Sequence, residues 1–475
     1  MKLPGKQLRK SHPWRLRVGE RRAVLMMGDL IAGLLSLGMA LYVWGSRLRF
    51  IEFDLSFLRE RVPFWFYLLP IVWIVMMLEL YDMHRAGNWI QTVRGIASAA
   101  MVSFGLYLVF YFFYPELLPR LSVAIFLVAI TLLTLSWRWL FIRIFAAPQF
   151  MRRVLLVGGG KAGQALLRVI NDLWPPPFFI TGIIDDDPEK HDKEIEGYRV
   201  LGTSHSLAKI IEEQNISDVI VAITGQIQSE MFQSLLKAQE QGVDILRMPR
   251  VFEDLVGRVP ILLLEADWIL RSFVDEAYSN RIYELAKRLV DVIGGLIGVV
   301  LLLLILPFVS LAILLDDGLP IFYTQTRSGK AGQTYHMIKL RTMVRDAEAD
   351  GTPRWASETD QRATRVGRFL RKSHLDELPQ FINVLRGEMS LVGPRAERPE
   401  LVDFFEQQVP FYRARLLVRP GITGWAQINF GYASSIEDTI LKLEYDLYYV
   451  KRRNLLLDLL VLLRTPITVF GFRGR

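Results

Sequence analysis

KRLVDVIGGLIGVVLLLLILPFVSLAILL, residues 287–315, opens on two cations and an acid and is then almost wholly apolar. Its reading decides the fold of the C-terminal region. About 20 apolar helical residues span a bilayer, so length alone makes 285–315 a crossing. Pro307 interrupts the run, and a proline inside a helix removes a hydrogen bond and kinks it. Lys287 and Arg288 precede the segment, while Arg327, Lys330, Lys339 and Arg341 come after it. Lys and Arg mark the cytoplasmic side of a span. Basic residues at both ends predict a helix that enters the membrane, breaks at Pro307 and leaves on the side it entered.

Upstream, four segments at roughly 23–45, 62–82, 95–114 and 121–146 are long and apolar enough to cross. Lys2, Lys6, Arg9, Lys10, Arg15, Arg17, Arg21 and Arg22 precede the first, and Arg152 and Arg153 come after the fourth. An even number of crossings returns the chain to the cytoplasm, although Arg47, Arg49, Arg59 and Arg61 in the first loop run against that rule. The basic start followed by a full-length apolar segment reads as a retained first span. Asp29 and Glu79 stand isolated in these segments, which otherwise read as an anchor.

The composition agrees. Of 475 residues 51% are hydrophobic, and there is no cysteine, which excludes disulfides, thiolate metal sites and a cysteine nucleophile. The net charge of +8 is gathered beside apolar runs. That placement fits an anionic bilayer surface better than nucleic acid.

Residues 151–250 change character. Arg153-Val-Leu-Leu-Val157 is a buried-strand pattern that runs into Gly158-Gly159-Gly160-Lys161-Ala162-Gly163 and a helical stretch. Gly158, Gly160 and Gly163 fit G-x-G-x-x-G, whose glycines let a phosphate approach a helix N-terminus. Further strands are expected at 178–184, 218–223 and 243–248, with a helix near 229–241. Alternating strands and helices predict a parallel, doubly wound, Rossmann-like sheet. Asp185 ends the second strand where a ribose-binding acid would stand. No Tyr-x-x-x-Lys pair occurs within residues 151–275, so the domain reads as a bare scaffold or a regulatory nucleotide site.

From Pro320 onward the chain is dense in phosphate-compatible cations. Two strands with a basic turn carry Arg327, Lys330, Lys339 and Arg341; Arg365, Arg368, Arg371 and Lys372 come next at helical spacing. Arginine offers a planar fork to phosphate and lysine a mobile charge. Beyond them stand Leu375-Asp376-Glu377-Leu-Pro379-Gln380 and Asn383-Val-Leu-Arg386-Gly387-Glu388-Met-Ser390-Leu-Val-Gly393-Pro394-Arg395. Adjacent residues on a helix face different ways, so Asp376 and Glu377 can take separate tasks. One can ligate a divalent cation while the other attacks phosphorus. By themselves such acids more often stand solvated at a helix start.

Residues 281–475 closely resemble the bacterial polyprenyl-phosphate hexose-1-phosphate transferases, the monotopic phosphoglycosyl transferases. The two segments around the Asp376-Glu377 dyad and Arg395 carry the likeness, together with Pro320-Ile-Phe-Tyr, Lys339-Leu-Arg-Thr-Met and Arg419-Pro-Gly-Ile-Thr-Gly-Trp-Ala-Gln427. The upstream spans and Rossmann-like domain resemble the large, exopolysaccharide-initiating form. The resemblance implies a hexose-1-phosphate transfer from a UDP-sugar to undecaprenyl phosphate, releasing UMP and initiating exopolysaccharide, capsule or O-antigen synthesis. It makes Asp376 the nucleophile of a covalent phosphosugar intermediate and Glu377 the Mg²⁺ ligand. It places Lys339, Arg341, Arg371 and Arg395 near the phosphates. It also implies a re-entrant helix, a catalytic domain facing the cytoplasm from the bacterial inner membrane and, for the large form, a homodimer. Two positions depart from the pattern: Ala396 replaces the proline that often succeeds the arginine, and Leu306 replaces the serine that often precedes Pro307.

The expected organisation is a four-span membrane α-helical bundle over 1–150, an α/β Rossmann-like domain over 151–275 and an α-rich monotopic catalytic domain over 276–475. Rival readings are a membrane nucleotide-sugar dehydratase or epimerase, which needs a catalytic Tyr-x-x-x-Lys pair that residues 151–275 do not offer, and a non-enzymatic scaffold for polysaccharide assembly. The tail, 448–464, mixes leucine runs with Lys451, Arg452, Arg453 and Arg464, as either an interfacial or a core helix would.

Overall fold

In the computed structural model, which describes residues 18–47, 55–81, 86–113, 120–145, 151–173, 176–264, 281–344, 362–431 and 435–469, the chain divides into two units, Met1–Met248 and Pro249–Arg475. The N-terminal basic residues 2–17, Arg49 and the side chain of Glu79 lie outside the described residues.

The first unit begins with three long apolar helices, Val18–Arg47, Trp89–Phe113 and Arg120–Phe145. The second expected crossing, 62–82, is not a fourth. It is an eight-residue helix, Leu69–Met76, flanked by 3₁₀ turns Phe64–Leu68 and Leu78–Tyr81. Pro70 stands in the first turn of that helix, where a missing N–H is tolerated, so the helix restarts there. Among the described residues, the second expected crossing is therefore a shorter, broken apolar stretch beside three full-length helices. Asp29 is not isolated either. Its buried carboxylate pairs with Arg138 at 2.7 Å, and Arg138 also donates to the Leu80 carbonyl at 2.9 Å. The pair spans 109 positions, so neither residue signals the other in the sequence.

The rest of the unit is a six-stranded sheet: β1 Arg153–Val157, β2 Phe179–Ile184, β3 Glu194–Ile195, β4 Tyr198–Gly202, β5 Asp218–Val221 and β6 Asp244–Arg247. The order is β3-β4-β2-β1-β5-β6, parallel except at β3–β4. β1 is buried over four successive residues, as a central parallel strand requires. Helix Lys161–Asp172 leaves the glycine turn so tightly that a Cβ on Gly163 would collide with the Gly158 carbonyl oxygen. Arg152, expected to flag the cytoplasmic exit, instead pairs with Asp218 at 2.5 Å and Asp244 at 2.8 Å beneath the sheet.

The second unit is mainly helical. Residues 249–264, grouped by sequence with the sheet domain, pack within it: buried Glu253 pairs with Lys451 at 2.8 Å and Arg452 at 3.1 Å. The long helix Arg281–Asp317 runs through Pro307 without the expected interruption, because a proline can bend a helix without ending it. It has 37 residues, roughly 55 Å, and exposes Leu296, Leu304, Phe308 and Leu315. With the three upstream helices, it makes four helices long and apolar enough to cross a membrane.

This helix is docked by polar groups at its start. Arg288 donates to the Val384 and Leu385 carbonyls, both at 2.7 Å, near the end of helix Gln380–Arg386. Lys287 reaches Asp458 at 3.0 Å and the Val392 carbonyl at 3.1 Å. Asp291 accepts from the Ser390 hydroxyl and the Leu391 N–H, both at 2.9 Å. Gly298 permits the close approach: a Cβ there would collide with the Phe381 ring. Two small sheets complete the unit, the hairpin β7 Phe322–Ser328 with β8 Thr334–Leu340, and the parallel pair β9 Ser390–Val392 with β10 Gly421–Thr423. The tail forms helices Ile436–Arg452 and Leu455–Val469. The latter buries Leu457 and Val461 and exposes Leu456 and Leu459, so it is both a core helix and an apolar surface.

Asp291→Ala would leave the Ser390 hydroxyl and Leu391 N–H without their acceptor. The expected loss is about 1–3 kcal/mol, read as a lower melting temperature in detergent, with Asp291→Asn losing less because it retains one oxygen.

Candidate active site

Three segments distant in sequence meet at one carboxylate. Helix Arg365–Lys372 starts at Thr364, whose hydroxyl accepts the Gly367 N–H at 2.9 Å. His374 takes a left-handed conformation (φ 56°), and the chain turns into the 3₁₀ turn Leu375–Glu377. Successive side chains on such a turn diverge, which separates Asp376 from Glu377. Pro379 then leads into helix Gln380–Arg386.

That helix positions β8. The fully buried Asn383 accepts the Ile338 N–H at 3.1 Å and donates to the His336 carbonyl at 2.8 Å. Its amide also donates to Glu388 at 2.6 Å. Lys339, one residue further along β8, reaches Glu377 Oε1 at 2.9 Å. Arg395 reaches the same oxygen at 3.0 Å from the loop after β9. Glu377 thus faces two cations. Among the described residues, Asp376 is 8% exposed and makes no hydrogen bond or ion pair.

The two acids are driven apart. Burial pushes Asp376 above the usual carboxylate range and the Glu377 charge adds to that rise, while Lys339 opposes it. Burial also pushes Glu377 upward, but Lys339 and Arg395 overcome it and hold Glu377 well below its ordinary value. The arrangement offers one fixed charge pair and one poorly solvated carboxylate beside it.

Of the residues expected at the phosphates, Lys339 and Arg395 meet the dyad. Arg341 does not: β8 ends at Leu340, and Arg341 turns to the end of the long helix. There it is bonded to the Asp317 carbonyl at 2.9 Å and the Gly318 carbonyl at 2.5 Å. Arg371 is half-buried on the helix before the dyad and makes no ion pair among the described residues. Asn383 carries the geometry of β8, and no charge pattern in the sequence reveals that. No group of three or more metal-compatible side chains occurs among the described residues. Lys339 and Arg395 both bond Glu377 through Oε1, so its Oε2 is the one oxygen there that could join a divalent cation held chiefly by other ligands.

The glycine turn belongs to the other unit. A cavity of about 500 Å³ lies at the C-terminal ends of its strands, lined by Gly158, Gly160, Lys161, Asp185, Lys190 and Met231. Asp185 accepts the Gly159 N–H at 2.7 Å and pairs with Lys190 at 3.0 Å. It therefore braces the turn while lining the cavity.

Residues 282–472 match the family described as bacterial sugar transferase, and residues 76–249 one described as CoA-binding domain. A UDP-glucose:undecaprenyl-phosphate glucose-1-phosphate transferase of Caulobacter vibrioides is 40% identical over 185 residues, which cover 38% of this chain and 68% of that one. The chain belongs to the bacterial sugar transferase family. It is also 38% identical over 234 residues to a UDP-N-acetylgalactosamine-undecaprenyl-phosphate N-acetylgalactosaminephosphotransferase of Aeromonas hydrophila, covering 49% of this chain and 54% of the relative. A UDP-glucose:undecaprenyl-phosphate glucose-1-phosphate transferase of Xanthomonas campestris pv. campestris is 29% identical over 58% of this chain and 57% of its own length. The chain spans a little over half the length of these two relatives.

Within this family member, the raised Asp376 favours the protonated folded state. Its ionisation penalises folding fully above the raised pKa, and the penalty vanishes below the unfolded value of about 3.9. Asp376→Asn should therefore raise the melting temperature at pH 8 by roughly 2–4 °C, with the gain fading toward pH 4. Melts in detergent without divalent cation measure this.

Proposed function

We propose that this sugar transferase moves a hexose-1-phosphate from a UDP-sugar to undecaprenyl phosphate and releases UMP. The observation that carries the reading is the electrostatic split of Asp376 and Glu377: a buried carboxylate without a partner stands beside one clamped by Lys339 and Arg395. The relatives' substrates, UDP-sugars and undecaprenyl phosphate, support the substrate class.

Deprotonated Asp376 attacks the β-phosphorus of the UDP-sugar. A carboxylate-oxygen–phosphorus bond forms, the bond from that phosphorus to the bridging oxygen breaks, and UMP leaves with the electron pair. A phosphate oxygen of the lipid then attacks the same phosphorus, and Asp376 departs as carboxylate. The product is an undecaprenyl diphosphate sugar. Lys339 and Arg395 stabilise charge on the phosphate oxygens. Arg371 stands on the adjoining helix as a further phosphate ligand, whereas Arg341 serves the fold. Glu377, with the substrate phosphates, would hold Mg²⁺, which when bound neutralises charge on the diphosphate.

The exposed apolar faces of the long helix and of helix Leu455–Val469 fit attachment to the bacterial inner membrane. We read the long helix as entering and leaving on one side, bent at Pro307, with the catalytic unit facing the cytoplasm. A homodimer belongs to this reading through the large-form resemblance alone. In the sheet domain, the cavity beside Gly160 and Lys161 fits a regulatory nucleotide, in keeping with the name of the matching family.

Purified protein with UDP-sugar, Mg²⁺ and undecaprenyl phosphate should release UMP. Asp376→Asn should lower release by about 10³-fold or more, and Lys339→Met by about 10²-fold. UMP release unchanged in Asp376→Asn would sink the nucleophile assignment, and a keto-sugar product would favour a dehydratase.

The rate should rise with pH as Asp376 deprotonates, with an acid limb above the ordinary aspartate range. Lys339 lowers the Asp376 pKa, so Lys339→Met should move that limb to higher pH; a pH–rate profile of both proteins checks the sign.

A further inference from the structure

Arg395 reaches Glu377 from a loop, and a loop side chain is aimed only as well as its backbone is held. Three consecutive carbonyls of this loop are each bonded. The Arg395 carbonyl accepts from Arg415 at 3.0 Å, that of Ala396 from Arg327 at 3.2 Å, and that of Glu397 from the Ser328 N–H at 2.9 Å. Before them, the Gly393 N–H donates to Thr423 and the Gly421 N–H to Pro394, both at 2.9 Å.

Arg415 is the hub of these contacts. Its side chain is 3% exposed, pairs with buried Asp446 at 2.7 Å and donates to the Tyr412 hydroxyl at 2.8 Å. It also lies 3.6 Å from Glu397, whose carboxylate takes Lys442 at 2.7 Å. A planar guanidinium with five N–H donors serves Tyr412, Asp446 and the Arg395 carbonyl at once; a lysine ammonium cannot span that fork.

We infer that Arg415 is a positioning residue for the transfer, fixing the direction of Arg395 toward Glu377 through the Arg395 carbonyl. It contacts no residue of the dyad. The inference rests on the transferase reading, in which Arg395 meets the substrate phosphates. Misplacing a phosphate ligand by about 1 Å is enough to slow a transfer substantially. Arg413, two residues away, is half-exposed and pairs only with Asp403 and Glu406 on the surface, so it serves as the comparison.

The test is UMP release by the full chain in detergent, with melting temperatures alongside. Arg415→Lys should slow release roughly tenfold and Tyr412→Phe about two- to threefold, while Arg413→Ala leaves it unchanged. In an Arg395→Ala background, Arg415→Lys should add less than about twofold, because the group it aims is gone. A full multiplicative loss in that background, or a silent Arg415→Lys, overturns the inference while leaving the transferase reading intact. A wild-type chain that releases no UMP overturns both. If Arg415→Lys fails to fold, Tyr412→Phe keeps the Arg415–Asp446 pair and carries the same comparison.

Discussion

A single oxygen of Glu377 accepts Lys339 and Arg395, and the architecture around the dyad depends on that constraint. A carboxylate taken out of water costs several kcal/mol unless cations compensate it. Compensation here comes from the end of β8 and from the loop after β9, so both must close on the turn that carries the acid. Asp376 next door receives no such partner. Two neighbouring carboxyls thus acquire opposite chemical characters from their surroundings alone, one a fixed charge and the other a reluctant anion.

The same logic holds below the dyad. An apolar helix has no directional means of docking on a folded unit, and here a short polar seam supplies it. Lys287, Arg288 and Asp291 satisfy carbonyls, an N–H and a hydroxyl of β9 and helix Gln380–Arg386. Most of those acceptors and donors are main-chain groups, so the side chains of the long helix register it against the backbone of its partner elements.

Much of this was legible in the sequence, though unevenly. Strands β1, β2, β5 and β6 showed as apolar runs, whereas β4 was not expected and β3, with two residues, was too short to carry a pattern. The family likeness located the dyad, with charge density in support, but neither could sort its cations. Lys339 and Arg341 look equivalent until the strand end at Leu340 sends the second to cap the long helix. Lys287, Arg288 and Arg152 read as markers of membrane sidedness because sequence shows a charge and hides its partner. Asp29 looked isolated for the same reason, as Arg138 lies on another helix. Asp185 stood out as a strand-end acid, and only the geometry shows that it also braces the glycine turn. Asn383 stood in a segment that carries the family likeness without showing its task, and Arg415 carried no local signal at all.

The close approach at Gly298 has a consequence for where the chemistry happens. Helix Gln380–Arg386, which packs there, begins only three residues after Glu377, with no flexible tether between. The far end of the long helix is tied down as well, where Val309 and Ile313 pack with Leu340 and Leu370 and Arg341 holds the Asp317 carbonyl. The helix is therefore a keel fixed at both ends, and a side chain forced in at Gly298 would be felt at the turn that carries the two acids.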